Sequence, residues 1–206
     1  DIVESDKFKV IHNAIDYDKF KYDEKARNKI RKDLNIRESD VVIGHVGRFV
    51  NQKNHDFLIN VFNKCYEQNN NYKLLLVGTG ELEEYIKEKV RILGIEDNVI
   101  FAGFQSNVNE YMQAMDLFVF PSLFEGLGLV LIEAQASGLP CIATAYTIPD
   151  EVKINPNFRF VNLNVNKWVE TIQNIKLTKV KNKKLIKDAG YFIEDIITEL
   201  TNVYQR

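Results

Sequence analysis

Five short runs of the chain are almost wholly apolar: residues 41–46, 72–77, 99–102, 117–120 and 141–145, rich in Val, Ile, Leu and Phe. Runs without a polar alternate position predict strands buried on both faces, as in a parallel sheet. Between them, at 55–68, 81–93, 108–115 and 129–137, apolar residues recur every three or four positions. That period predicts amphipathic helices. Strand and helix alternate, so the pattern predicts right-handed βαβ crossovers and a Rossmann-like, doubly wound parallel sheet. A later helix is expected within 165–175, with Trp168 as its core anchor. Ligands of such sheets bind outside the carboxyl ends of the strands.

The candidate motifs fall at those ends. After the run 117–120 come Glu125, Gly126, Leu127, Gly128 and, eight positions after Glu125, Glu133. The two glycines interrupt the helical spacing, which places Glu125 on the loop entering a helix and Glu133 one to two turns inside it. A strand, a glycine turn and a helix aim free backbone N–H groups and the positive end of the helix dipole at an anion above the turn. The alternative is a plain turn and two solvated glutamates. After 41–46 come Gly47, Arg48 and Lys53: a glycine for close backbone approach, a planar fork of donors and a point charge, together suited to a diphosphate. The alternative there is an exposed basic pair. After 72–77, Gly78 and Gly80 permit close approach of a ribose or phosphate. Near 99–104, Phe104 and backbone groups can flank a base, or the segment is an ordinary strand end with core phenylalanines.

Composition narrows the classes. With 206 residues and 45% hydrophobic content the chain can bury a sizeable core, as one large domain or a domain plus an appendage. A formal net charge of −2 gives no global field for nucleic acid or anionic membrane. Cys65 and Cys141 stand far apart without metal-ligand spacing, which suits reduced, buried thiols and a cytoplasmic chain. No apolar run nears the roughly 18 residues that span a bilayer, and residues 1–6 are too polar for a signal peptide. The scattered His12, His45 and His55 read as loop or satisfied side chains, His55 having a minor claim as a ligand through its closeness to Lys53. The lysines of 179–187 read as a solvated helix face, with peripheral contact to the inner membrane face as the minority reading.

Taken in order and spacing, these pieces resemble the C-terminal half of a GT-B glycosyltransferase of the large retaining family four. The resemblance covers roughly residues 10–152. It rests on Ile11-His12-Asn13-Ala14-Ile15-Asp16 ahead of Phe20, Gly47-Arg48 with Lys53, Val77-Gly78-Thr79-Gly80, Gly103-Phe104, Pro121-Ser122, Glu125 to Glu133, and Ala136-Ser137-Gly138-Leu139-Pro140 before Ala143-Thr144. It implies that Arg48 and Lys53 bind the diphosphate of a nucleotide-sugar donor, UDP-sugar being favoured by commonness. It also implies that Glu133 accepts from the ribose hydroxyls and Glu125 contacts the transferred sugar, while the N–H groups of Leu127 and Gly128 hold the sugar phosphate. Glu125, Arg48 and Lys53 are then the residues assigned to catalysis. No cofactor and no divalent cation are implied, and no His/Asp/Glu cluster stands at metal spacing. Retention without an enzyme nucleophile would imply front-side attack.

The chain departs from the family in having Ala14 for glycine, and Tyr146-Thr147 where a glycine pair precedes Glu151. The resemblance makes residues 1–190 the donor domain. It makes 191–206 a final helix, with Tyr191, Phe192, Ile196, Leu200 and Tyr204 on one face, that either returns to an absent N-terminal, acceptor-binding domain or packs within this chain. Two rival readings are a non-catalytic nucleotide-binding module and another GT-B enzyme such as a nucleotide-sugar epimerase. The Arg48/Lys53 and Glu125/Glu133 combination argues against the epimerase. A dinucleotide dehydrogenase lacks support, because no Gly-x-Gly-x-x-Gly opens the first crossover.

Overall fold

A computed structural model describes residues 13–204. Ile11 and His12 of the motif just quoted lie outside the described residues. Six strands form one sheet: β1 (Val41–Val46), β2 (Tyr72–Val77), β3 (Val99–Phe101), β4 (Leu117–Phe120), β5 (Cys141–Thr144) and β6 (Phe158–Val161). Their order is β3-β2-β1-β4-β5-β6, and every pairing is parallel. This is the doubly wound arrangement expected, with one strand more than the apolar runs predict. β6 escapes because it reads Phe-Arg-Phe-Val on the sheet's edge, where only Phe158 is fully buried and Arg159 is exposed.

The pleat divides the core in two. Val42, Leu75, Phe118, Phe120 and Cys141 face one side, against α1 (Tyr17–Phe20), α2 (Glu24–Asp33), α5 (Val108–Ala114), α6 (Leu129–Ala136) and α8 (Lys183–Asp188). Ile43, Leu74, Leu76, Leu117, Val119 and Ile142 face the other, against α3 (His55–Gln68), α4 (Glu83–Ile92) and α7 (Val165–Asn174). Alternate residues of one strand thus feed opposite layers, and burial of both sets explains why the runs lack polar positions. Trp168 of α7 is fully buried and its indole N–H donates to the Asn162 carbonyl at 3.0 Å. Cys65 and Cys141 are free, buried thiols, and burial pushes Cys65 up to about 12.

The first two residues of the tail pack within this chain. Ile15 bridges Phe192 in parallel, and Tyr191 and Phe192 are buried in this chain. The helix that follows, α9 (Ile193–Tyr204), buries none of its residues, and Ile193, Ile197, Val203 and Tyr204 are exposed. Lys181, Lys183, Lys184 and Lys187 are exposed, the solvated face that the lysines of 179–187 suggest, and Lys179 departs from it. Lys179 is half-buried, its ammonium 4.8 Å from the Tyr22 ring centre and 3.3 Å from the Gln113 carbonyl. No helix among the described residues is long and apolar enough to cross a membrane.

Candidate functional site

The strand order reverses between β1 and β4, so the two loops leaving their carboxyl ends diverge around a crevice. Four contacts join these loops. The Lys53 ammonium meets a Glu125 carboxylate oxygen at 2.6 Å, and the Leu123 N–H donates to the Gln52 carbonyl at 2.8 Å. The Gln52 side-chain amide donates to the Phe124 carbonyl at 2.8 Å, and that of Asn54 to the Pro121 carbonyl at 3.2 Å. The Lys53 ammonium also lies 4.7 Å over the Phe120 ring. Sequence reasoning assigned Lys53 and Glu125 to different parts of a donor. The structure makes them partners, across 72 residues of chain. Gln52, Asn54 and Phe120 were missed, having no signal beyond their nearness to a motif.

Arg48 is exposed, with no ion pair or side-chain hydrogen bond among the described residues. It lines a cleft of about 450 Å³ with Gly47, Gly78, Gly80, Phe104 and Gln105. The cleft sits over the carboxyl ends of β1 and β2 and is mostly apolar. Phe104 stands 78% exposed at its rim, placed to take a flat ring rather than to fill a core. Glu133 does not line this cleft. It lies within α6, half-buried, and burial raises its carboxyl above the usual range, with Lys19 opposing the shift.

The glycines have a reason inside the chain. A Cβ on Gly78 would stand 2.1 Å from the Gly47 carbonyl oxygen, and one on Gly80 2.6–2.8 Å from the Phe49 backbone. The loops after β1 and β2 therefore pack backbone against backbone, which no side chain would allow, whatever the cleft binds. Gly128 is different: it precedes α6 with φ 74°, the left-handed conformation that turns the chain into the helix. Gly126 faces open space.

Helix starts carry the electrostatic pattern. α3, α4, α5 and α6, which follow β1 to β4, have no side-chain cap, whereas α1, α2 and α7 are capped by Asp16, Asp23 and Asn164. The first-turn N–H groups of α6, with those of the Leu127–Gly128 approach, remain available beside the Lys53–Glu125 pair. Among the described residues no group of three or more His, Cys, Asp or Glu could hold a metal ion. A larger groove of about 680 Å³ lies elsewhere, beyond the edge strand, lined by Tyr146, Arg159, Lys167 and Glu170. It holds none of the residues that the sequence singles out for chemistry.

The histidines depart from expectation. His45 and His55 are buried, with three of their four ring nitrogens lacking a hydrogen-bond partner among the described residues. Burial lowers His45 to about 4 and His55 to about 2, with the Lys53 charge adding to both.

The profile of the glycosyl transferases group 1 family matches residues 26–190, well over half of the chain. The chain belongs to that family. EpsF of Bacillus subtilis (strain 168) is 32% identical over 213 residues, covering 98% of this chain and 54% of EpsF. An Escherichia coli UDP-Gal:alpha-D-GlcNAc-diphosphoundecaprenol alpha-1,3-galactosyltransferase is 27% identical over 190 residues, covering 86% of this chain and 49% of that enzyme. Among solved structures, Anabaena HepE in complex with UDP and glucose superposes with a TM-score of 0.80 at 22% identity, over 98% of this chain and 58% of HepE, a likeness of fold. The chain thus spans about half the length of the relatives it matches.

Proposed function

We propose that this chain is the donor-binding half of a retaining glycosyltransferase. It moves a sugar from a nucleotide-diphospho-sugar, UDP-sugar being favoured, to a glycan or lipid-linked acceptor held by a domain outside these residues. The observation that carries this reading is the Lys53–Glu125 pair beside the uncapped start of α6 at the β1/β4 reversal, with an unpaired Arg48 on the same β1 loop lining the neighbouring cleft over β1 and β2. The named donor and acceptor of the Escherichia coli relative, and the UDP in HepE, support the substrate class.

The chemistry follows from charge. Cleavage of the bond between the sugar's anomeric carbon and the phosphate oxygen leaves new negative charge on the nucleoside diphosphate. Arg48, Lys53 and the α6 N–H groups are preplaced to stabilise that charge without a metal. The acceptor oxygen bonds the anomeric carbon from the same face, and the departing phosphate oxygen takes its proton. Phe104 stacks the base and Glu133 accepts from the ribose hydroxyls, while Glu125 contacts the transferred sugar.

Calorimetry with UDP, GDP and uridine, in excess EDTA, tests the reading. UDP or GDP should bind in chelator, and Arg48→Ala should weaken diphosphate binding roughly ten- to a hundredfold, the worth of a charge-assisted hydrogen bond, with uridine nearly unaffected. Binding that requires magnesium or manganese would sink the metal-free mechanism.

A further inference from the structure

We infer that His45 and His55 are positioning residues for the loop that carries Arg48 and Lys53: a neutral imidazole pair on which that loop is seated. The inference rests on the donor-site reading above. His45 Nδ1 lies 2.9 Å from the Val119 carbonyl oxygen. A carbonyl only accepts, so Nδ1 carries the proton and the neutral ring leaves Nε2 as a bare acceptor. That nitrogen faces Gly47: a Cβ there would stand 2.9 Å from Nε2 and 3.3 Å from Cγ and Cδ of Lys53. The imidazole and the Lys53 stem thus close together on the side of Gly47 where a side chain would stand, and only glycine fits there.

The rings extend the contact on both sides. His45 stacks on Phe120 at 5.7 Å, the same ring over which the Lys53 ammonium lies. His55, the first residue of α3, stacks on Phe49 at 4.1 Å and meets His45 edge-on at 4.8 Å. The pair therefore touches the loop at Gly47 and Phe49, and touches β4 at Val119 and Phe120. It spans the crevice from beneath, where β1 and β4 part.

Burying three unpartnered imidazole nitrogens costs stability that a pair of phenylalanines of similar shape would not. What phenylalanine cannot supply is the N–H to Val119, which ties the end of β1 to the end of β4. Burial, with the nearby Lys53 charge, keeps both rings neutral, so they support the cationic loop without competing for its ligand.

The test measures binding of UDP and of uridine to the whole chain. His45→Phe should weaken UDP about tenfold or more while uridine stays within about twofold. His45→Asn, whose amide N–H can reach Val119 from the place of Nδ1, should return UDP binding to within about threefold of the native chain. His55→Phe keeps the stack on Phe49, loses the edge-on polar contact and should weaken UDP by about three- to tenfold. This variant carries the test if His45→Phe does not fold. Native UDP affinity in folded Phe variants, or equal losses of UDP and uridine, would overturn the inference while leaving the donor site intact. If the native chain binds no nucleoside diphosphate, the donor-site reading falls, and this inference with it.

Discussion

Glu125→Gln perturbs the one ion pair that joins the β1 and β4 loops among the described residues. The Glu125 and Lys53 side chains are 9% and 18% exposed, with 2.6 Å between their charged atoms. Breaking a fully buried pair costs about 3–5 kcal/mol, because the surviving charge is left uncompensated. Here water reaches Lys53 and the Phe120 ring offers its ammonium a cation–π contact, so the expected loss is nearer 2 kcal/mol. For a chain of this length that lowers Tm by about 4–8 °C. Lys53→Met strands a more deeply buried carboxylate and should cost at least as much. The double variant should then recover about 1–2 kcal/mol of coupling in a thermodynamic cycle. The ligand consequence runs the other way. In the free chain Glu125 already neutralises Lys53, and an incoming diphosphate must share that ammonium. Glu125→Gln should therefore tighten UDP about three- to tenfold while weakening a UDP-sugar relative to UDP. Thermal unfolding of the four chains and calorimetry with both ligands give the numbers. A coupling below about 0.3 kcal/mol together with unchanged UDP affinity would refute the reasoning, and the pair would be a screened surface contact.

Three further outcomes follow from single positions. Gly78→Ala places a Cβ 2.1 Å from the Gly47 carbonyl oxygen at φ 137°, and should destabilise by about 3 kcal/mol in thermal unfolding; a loss below about 1 would show that the two loops can separate. Lys179 is lowered to about 7 mainly by burial, with Arg27 and Arg31 adding and Asp116 opposing. Between about 7 and 10.5 the unfolded chain binds a proton that the folded chain does not, so this group's contribution to stability rises with pH across that window. Lys179→Met should raise Tm most at and below pH 7, on the order of 1 kcal/mol after screening, with the gain vanishing toward pH 10.5; a gain constant with pH would contradict the assignment. Tyr146 holds φ 65° with a side chain 94% exposed, so Tyr146→Gly relieves about 1 kcal/mol of left-handed strain against a similar glycine entropy. Its Tm should stay level or rise slightly, and a clear fall would mean that the tyrosine packs on something.

Most of the fold was legible because β1, β2, β4 and β5 are buried on both faces, and such strands announce themselves as unbroken apolar runs. Edge strand β6 keeps Arg159 exposed and so carries no comparable signal. The start of α4 was placed two residues early: Glu81 and Leu82 belong to a turn whose Leu82 N–H bonds the Phe49 carbonyl, a contact between distant segments. At the site, motifs located the right loops, since turn glycines and charged residues after apolar runs are local features. Pairing was not local. Nothing in the spacing of Lys53 and Glu125 says that they meet, that Gly78 is glycine because of Gly47, or that His45 and His55 form one buried unit.

A crystal structure of the chain with UDP tests the central claim most directly. The account places the β-phosphate within hydrogen-bond distance of Arg48, Lys53 and the N–H groups of Leu127 and Gly128, the ribose hydroxyls on Glu133, and the uracil against Phe104. UDP lodged instead in the groove beside Arg159 and Lys167, with the β1/β4 crevice holding no phosphate, would contradict it.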